Sequence, residues 1–180
     1  MPTEFEAKVL DIDPSALATA ILEAGGTQCS EGPVLMRRYV YDIAPGDRSR
    51  WIRLRDAGGQ VTLTVKEIEH DGIDGTHEWE VAVDDFDITN ALLGRLGYTP
   101  KSYQENTRTS FRLGTARVEI DQWPRIPAYL EIEADDREQV VTTAAMLGYD
   151  ESSLTGENTI KVYARYGIDL TAISDLRFLP

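Results

Sequence analysis

The chain contains one cysteine, Cys29, in 180 residues, so no disulfide can form within it. That usage suits a reducing compartment, and a lone cysteine reads as buried filler rather than as a nucleophile. Histidine is almost as scarce. His70 and His77 flank a polar loop and read as surface residues. Ser110 has no evident base partner, which argues against a hydrolase triad. Positive charge is short as well: 18 Lys and Arg stand against 31 Asp and Glu, for a net charge of −13. That balance excludes general binding to nucleic acid or to anionic membranes, both of which need a basic surface. No apolar run approaches the roughly 20 residues that cross a bilayer. The N-terminus carries Glu4, Glu6 and Lys8 where a signal peptide needs an apolar stretch, so the expected location is cytoplasmic. The segment Gly72 to Gly75 is too short and misplaced for a P-loop.

What remains is an ordinary globular composition, 42% hydrophobic and 27% charged, long enough to bury a core as one domain over residues 1–180. Residues 3–10 alternate in polarity, as a strand does. Residues 34–43 read as a strand from their β-branched and aromatic content, and the alternating period returns over 50–56, 60–67, 77–84, 101–113, 116–122 and 128–134. Gly58-Gly59 and Gly114 read as hairpin turns. Helices are predicted from Asp13-Pro14, with Asp13 as N-cap, to Gly25-Gly26, from Phe86 to Leu96, from Arg137 to Leu147, and through Tyr166 from a cap at Asn158 or Thr159, with Gly97, Gly148 and Gly167 ending the last three. Each half runs strand, helix, strands, a hint of an internal repeat.

The polar faces of these strands are unusual. They carry like charges at i, i+2: Glu4/Glu6, Arg53/Arg55, Glu78/Glu80, Glu119/Asp121 and Glu131/Glu133. One such pair on a strand is usually a solvated face. Repeated over so many strands, with both signs present, the habit fits a sheet that closes on itself and sets opposite charges face to face. A barrel with a charged lumen does this, and the helices then cover its apolar outer surface. Lumen charges are costly unless paired, hydrated or ligated, so the lumen reads as a binding site. Carboxylates offer hard oxygen ligands for Mg²⁺ or Mn²⁺. Lys and Arg offer charge-assisted donors for phosphate oxygens.

The ordered series resembles a known family. Glu4-Phe5-Glu6-Ala7-Lys8 is similar to the ExExK signature of the CYTH superfamily, the triphosphate tunnel metalloenzymes. Trp51-Ile52-Arg53-Leu54-Arg55 resembles its Arg-x-Arg strand, and Leu63-Thr64-Val65-Lys66 its lysine strand. Val118-Glu119-Ile120-Asp121 and Tyr129-Leu130-Glu131-Ile132-Glu133 resemble its late acidic strands. Tyr163-Ala164-Arg165-Tyr166-Gly167 is similar to the tail of bacterial members. The resemblance covers residues 3 to about 168. It implies an α+β fold, an eight-stranded antiparallel β-barrel with helices packed outside. It also implies divalent metal on Glu4, Glu6, Glu131 and Glu133, with Asp121 and Glu80 as further acidic members. Lys8, Arg53, Arg55, Lys66 and Arg108 would be the catalytic and phosphate-binding cations, with Arg112 a further substrate contact.

The activity so implied is metal-dependent hydrolysis of inorganic, thiamine or nucleoside triphosphate. The alternatives are a class IV adenylyl cyclase and a non-catalytic polyphosphate or nucleotide binder. The expected partner is a small-molecule triphosphate, and the sequence is compatible with a homodimer. Two departures stand out. Asn106-Thr107-Arg108 occupies the place where many relatives carry Lys-x-Arg, with Lys101 or Arg112 as candidate substitutes for the lost cation. Thr76, with His77 beside it, stands where an Arg is usual.

Overall fold

The structure, a computed structural model, describes residues 3–179. In chain order its elements are β1 (Thr3–Val9), α1 (Pro14–Glu23), β2 (Thr27–Gln28), β3 (Val34–Asp42), β4 (Arg50–Ala57), β5 (Gln60–Ile68), β6 (Thr76–Val83), α2 (Phe86–Arg95), β7 (Ser102–Leu113), β8 (Ala116–Gln122), β9 (Tyr129–Ala134), α3 (Arg137–Met146), α4 (Thr159–Arg165) and β10 (Asp175–Leu176). The helix starts follow their caps. The Asp13 carboxylate accepts from the amides of Ser15 and Ala16, and Asp85, Asp136 and Asn158 each accept from an amide three residues on. Each cap satisfies N–H groups that the first turn leaves without a partner.

Eight strands close into an antiparallel barrel in the order β7-β3-β4-β5-β6-β1-β9-β8, with β8 returning to β7. β1 sits between β6 and β9, so the two halves of the chain share one sheet and are not stacked as separate repeats. The twelve-residue β7 allows the closure. It pairs with β3 along its first part and with β8 along its last, so one long strand carries both sides of the seam. Two short strands were not legible in the sequence: β2 pairs with the end of β7, and β10 runs parallel to its start.

The barrel is inverted relative to a small hydrophobic one. Charged residues share the inner parity and apolar residues the outer, so the core lies between barrel and helices. α1 and α3 pack Leu17, Ile21, Val140 and Ala144 against Val118, Ile120, Leu130 and Ile132. α2 brings Phe86 and Leu93 onto Tyr41, Ile52 and Leu54. α4 joins Trp123, Tyr129 and Leu176 in a third cluster near one end of the barrel. Trp123 and Tyr163 meet edge to face there, and the Tyr163 hydroxyl donates to the Pro124 carbonyl at 2.7 Å.

Two positions differ from expectation. Cys29 is exposed, because the short β2 leads into a surface turn and not into the core. His77 is buried. It is the second residue of β6, opposite Thr3, with Glu69 3.3 Å from Nε2, whereas His70 remains exposed.

The wall between β6 and β1 is completed by loops. β6 pairs with β1 only through Thr76 and His77. Farther along β1, the Glu6 amide donates to the Ile73 carbonyl, and Lys8 exchanges backbone hydrogen bonds with Thr155. These loops touch each other where Gly156 meets the turn at Asp71-Gly72. A Cβ on Gly156 would lie 2.4 Å from the Gly72 carbonyl oxygen and 2.7 Å from that of Asp71. Gly156→Ala is therefore expected to destabilise by about 1–3 kcal/mol, the usual cost of overpacking, and to lower Tm by several degrees in a thermal melt. Gly94→Ala, in α2 with open space around the new methyl, is expected to do the opposite, by about 0.5–1 kcal/mol. Equal melting temperatures for the two variants would contradict the contact.

Candidate active site in the barrel lumen

The inner face gathers the like-charged pairs of the sequence and sets opposite signs against each other. β1 contributes Glu4, Glu6 and Lys8. Across the β1–β9 register Glu6 faces Glu133, and Lys8 faces Glu131. The Lys8 ammonium, 3% exposed, lies 2.9 Å from Glu6 and 3.3 Å from Glu131. Lys66 on β5 reaches Glu4 at 2.8 Å and Glu78 at 2.7 Å. Arg53 on β4 donates to Glu78 at 3.0 Å and to Glu80 at 3.1 Å, and Arg55 stands 3.5 Å from Glu80. On the opposite wall Arg108 binds Asp121 with two parallel bonds of 2.8 and 2.6 Å, reaches Glu131 at 2.7 Å and pairs with Glu119.

Of the expected site residues Arg112 stands outside this network, and Glu133, opposite Glu6 in the register, is ion-paired with Arg117 at 2.7 Å. Arg112 has the inner parity but lies exposed near the end of β7 and donates to the Thr115 carbonyl. Lys101, the other candidate substitute for a missing cation, pairs with Asp42 at the surface. Thr76 is buried opposite Glu4. Glu78, Glu119 and Arg38 also lie in the lumen but were not in the expected set. Glu78 and Glu119 were signalled by their like-charged strand partners Glu80 and Asp121. Arg38 on β3 had no such signal, because Met36 and Val40 are its neighbours on the same strand face.

Asn106 is fully buried. Its amide nitrogen donates to Asp121 at 3.0 Å, and its oxygen accepts from Arg38.

The electrostatics divide the lumen. Around β1 and β9 acid is in excess. Burial, reinforced by Glu6 and Glu78 and opposed by Lys66, raises Glu4 to about 7. Burial also raises Glu133, with Glu131 and Glu6 adding to the effect against Arg117. Beside β3 and β4 the excess is cationic. Arg53 foremost, and then burial, push Arg55 down to about 10. Burial, with Arg53, Arg55 and Arg108 nearby, pushes Arg38 down to about 9. The Nε groups of Arg38, Arg53 and Arg55 are all buried without an acceptor.

Hard oxygen donors crowded against one another suit a divalent cation in the acidic half. Among the described residues no three metal-ligating side chains converge as a cage; the carboxylates are drawn onto the cations. The donor chemistry of Glu4, Glu6, Glu131 and Glu133 nonetheless fits such an ion: all four are carboxylates on adjacent strands, and Glu6 faces Glu133 directly.

Asp121 is the keystone of the far wall, with no exposed surface and with Arg108 and Asn106 as partners. Asp121→Ala would leave the Arg108 fork and the Asn106 amide short of an acceptor. A loss of about 3–5 kcal/mol is expected, as for other broken buried pairs, read as a lowered denaturation midpoint at unchanged m-value. A change within 1 kcal/mol would show that Arg108 finds other partners.

Known proteins share this fold. The PH1012 protein from Pyrococcus horikoshii OT3 aligns at a TM-score of 0.73 and 20% identity, covering 88% of this chain and 98% of that one. A proposed adenylate cyclase from Vibrio parahaemolyticus aligns at 0.76 and 17% identity, covering 91% and 98%. A proposed adenylyl cyclase from Hippeastrum, described as having a dominant triphosphatase activity, aligns at 0.57 and 14% identity, covering 100% and 98%. At these identities the likeness is one of fold. No curated protein sequence matches the chain. The profile of the CYTH domain matches residues 3–156, most of the chain and all eight barrel strands, and the protein therefore belongs to the CYTH domain family.

Proposed function

We propose that the protein hydrolyses a small triphosphate in its lumen with the help of a divalent metal ion, Mg²⁺ or Mn²⁺. The observation that carries this reading is the pair Arg53 and Arg55. Arg53 is buried and Arg55 partly buried on one strand face, where the two guanidinium groups repel each other and their Nε–H groups have no acceptor. A polyanion supplies the missing acceptors and relieves the repulsion that Glu78 and Glu80 only partly offset. The acidic half supports the same reading, since a bare triphosphate would be repelled by Glu4, Glu6, Glu131 and Glu133. A divalent ion on those carboxylates neutralises phosphate charge when bound.

The chain's own residues then do the following work. Lys8, Lys66 and Arg108 are held by carboxylates at hydrogen-bonding distance, so they are oriented before substrate arrives. Arg53 and Arg55 turn donors toward phosphate oxygens and stabilise the charge that develops on the leaving phosphate. Asp121 and Glu80 fix Arg108, Arg53 and Arg55 in place. Most of the rate enhancement then comes from positioning and preorganised charge. Hydrolysis by water needs only these shared tunnel parts, whereas a cyclase also needs a pocket that orients a nucleotide base. The triphosphatase activity described for the Hippeastrum relative is consistent with that preference.

The test is a substrate panel of inorganic tripolyphosphate, thiamine triphosphate and ATP with Mg²⁺ or Mn²⁺, reading both phosphate and cyclic AMP. Phosphate release is expected from at least one of them. Arg55→Ala should lower kcat/KM about 10²-fold or more, as removal of a preorganised charge-stabilising donor does elsewhere. Glu6→Ala should abolish the response to metal. Cyclic AMP with pyrophosphate would move the assignment to a cyclase. Tight tripolyphosphate binding by folded protein with no turnover would make it a binder.

A further inference from the structure

Arg38 differs from every other cation in the lumen. Lys8, Arg53, Arg55, Lys66 and Arg108 each have at least one carboxylate within ion-pairing distance. Among the described residues Arg38 has none. It is 8% exposed, on the inner face of β3, directly opposite Arg55 on β4 and Gln104 on β7. Its one hydrogen-bonded partner is neutral: Nη2 donates to the Asn106 oxygen. The guanidinium carbon lies over the Trp123 ring, 4.5 Å from its centroid. Nε has no acceptor, and the indole N–H of Trp123 is likewise buried and unaccepted.

A buried charge without a counter-charge is costly to keep. Here it is kept in one orientation by two devices, an amide that fixes one end of the guanidinium fork and an aromatic plate beneath it. Both fix a planar donor and neither neutralises it. The missing component is an anion.

We propose that Arg38 is a phosphate-binding residue, taking the phosphate group that lies deepest toward Trp123, with Asn106 and Trp123 as its positioning residues. The proposal rests on the triphosphate reading of the lumen and adds a contact to it. Planar bidentate recognition of phosphate is what an oriented guanidinium does best. The geometry also gives Asn106 a purpose. A lysine at 106 would remove the oxygen that accepts from Arg38 and place a second buried cation beside it. The asparagine leaves the cation to β3 and spends its own amide on Asp121, so cationic character at this point of the lumen is supplied by Arg38 and not by residue 106.

The test is calorimetric titration of the full chain with inorganic tripolyphosphate in Mg²⁺, for Arg38→Gln, Arg38→Met, Asn106→Lys and the double variant Arg38→Gln/Asn106→Lys. Arg38→Gln and Arg38→Met are each expected to weaken binding about tenfold or more, the scale of a lost charged hydrogen bond. Asn106→Lys alone should weaken it as well, despite adding a cation. The double variant should recover most of the affinity, since it relocates the charge and removes the repulsion. Thermal melts without tripolyphosphate should place Arg38→Met at or above the wild-type Tm, because an uncompensated charge has been removed. A merely structural Arg38 would lower it.

Affinity within twofold of wild type in both Arg38 variants would overturn the proposal, as would tighter binding by Asn106→Lys with Arg38 intact. No binding by the wild-type protein would instead overturn the triphosphate reading itself.

Discussion

The constraint on which the rest depends is charge balance inside a closed sheet. Eight strands turn their charged faces inward, where solvent screens them weakly and each ion must be matched locally. The pairing is therefore crossed: Lys66 ties β5 to Glu4 on β1, Arg53 ties β4 to Glu78 and Glu80 on β6, and Arg108 ties β7 to Asp121 on β8 and Glu131 on β9. The matching is incomplete in a patterned way. Acid is left over beside β1 and β9, and cation beside β3 and β4. A metal-bound polyphosphate has the complementary pattern, with positive charge at one part and negative oxygens at another. The lumen is thus a site whose own residues pair with each other while retaining a demand for a ligand of both signs.

The same inversion dictates the architecture around it. With charge inside, the apolar residues of every strand face outward, and the hydrophobic core must lie between barrel and helices. α1 and α3 cover one wall, α2 another, and α4 closes over the cluster of Trp123 and Tyr129. Trp123 joins the two worlds. One of its surroundings is the apolar packing of Tyr163, and the other is the Arg38 guanidinium. On the outer face of β6, Val83 packs against the α2 cluster while Trp79 and Val81 remain exposed.

Residues in like-charged pairs were readable because alternation reveals strand and face together, and an i, i+2 pair of one sign demands a partner of the other. Glu4, Glu6, Arg53, Arg55, Glu131 and Glu133 all carried that signature. Arg38 did not. It follows Arg37 directly, so the two point to opposite faces, and on its own face it is flanked by Met36 and Val40. Arg37 turns outward to Asp56 and the Phe86 ring, and nothing local distinguishes the inward arginine from the outward one. Arg112 misled for the converse reason. Its parity is right, but it lies so near the end of β7 that its side chain remains in solvent. Asn106 read as a loss against its family pattern, and only its contacts with Arg38 and Asp121 give it a role.

The sequence by itself determined the eight barrel strands, the helices, and the inner face and sign of charge wherever a like-charged pair marked them. All of these are written in periodicities of two and 3.6 residues and in caps that act over three or four residues. It also carried the ordered motifs by which the chain resembles its family. Tertiary structure decided what no local period contains: that β7 is shared by β3 and β8 to close the barrel, that loops at Ile73 and Thr155 complete the wall beside β1, and which carboxylate answers which cation. Those outcomes depend on residues far apart in the chain meeting in one low-dielectric space, where the strength of each charge is set by neighbours and not by its place in a strand. The lone arginine at 38 is the clearest instance, an unremarkable residue in sequence whose significance comes entirely from what faces it.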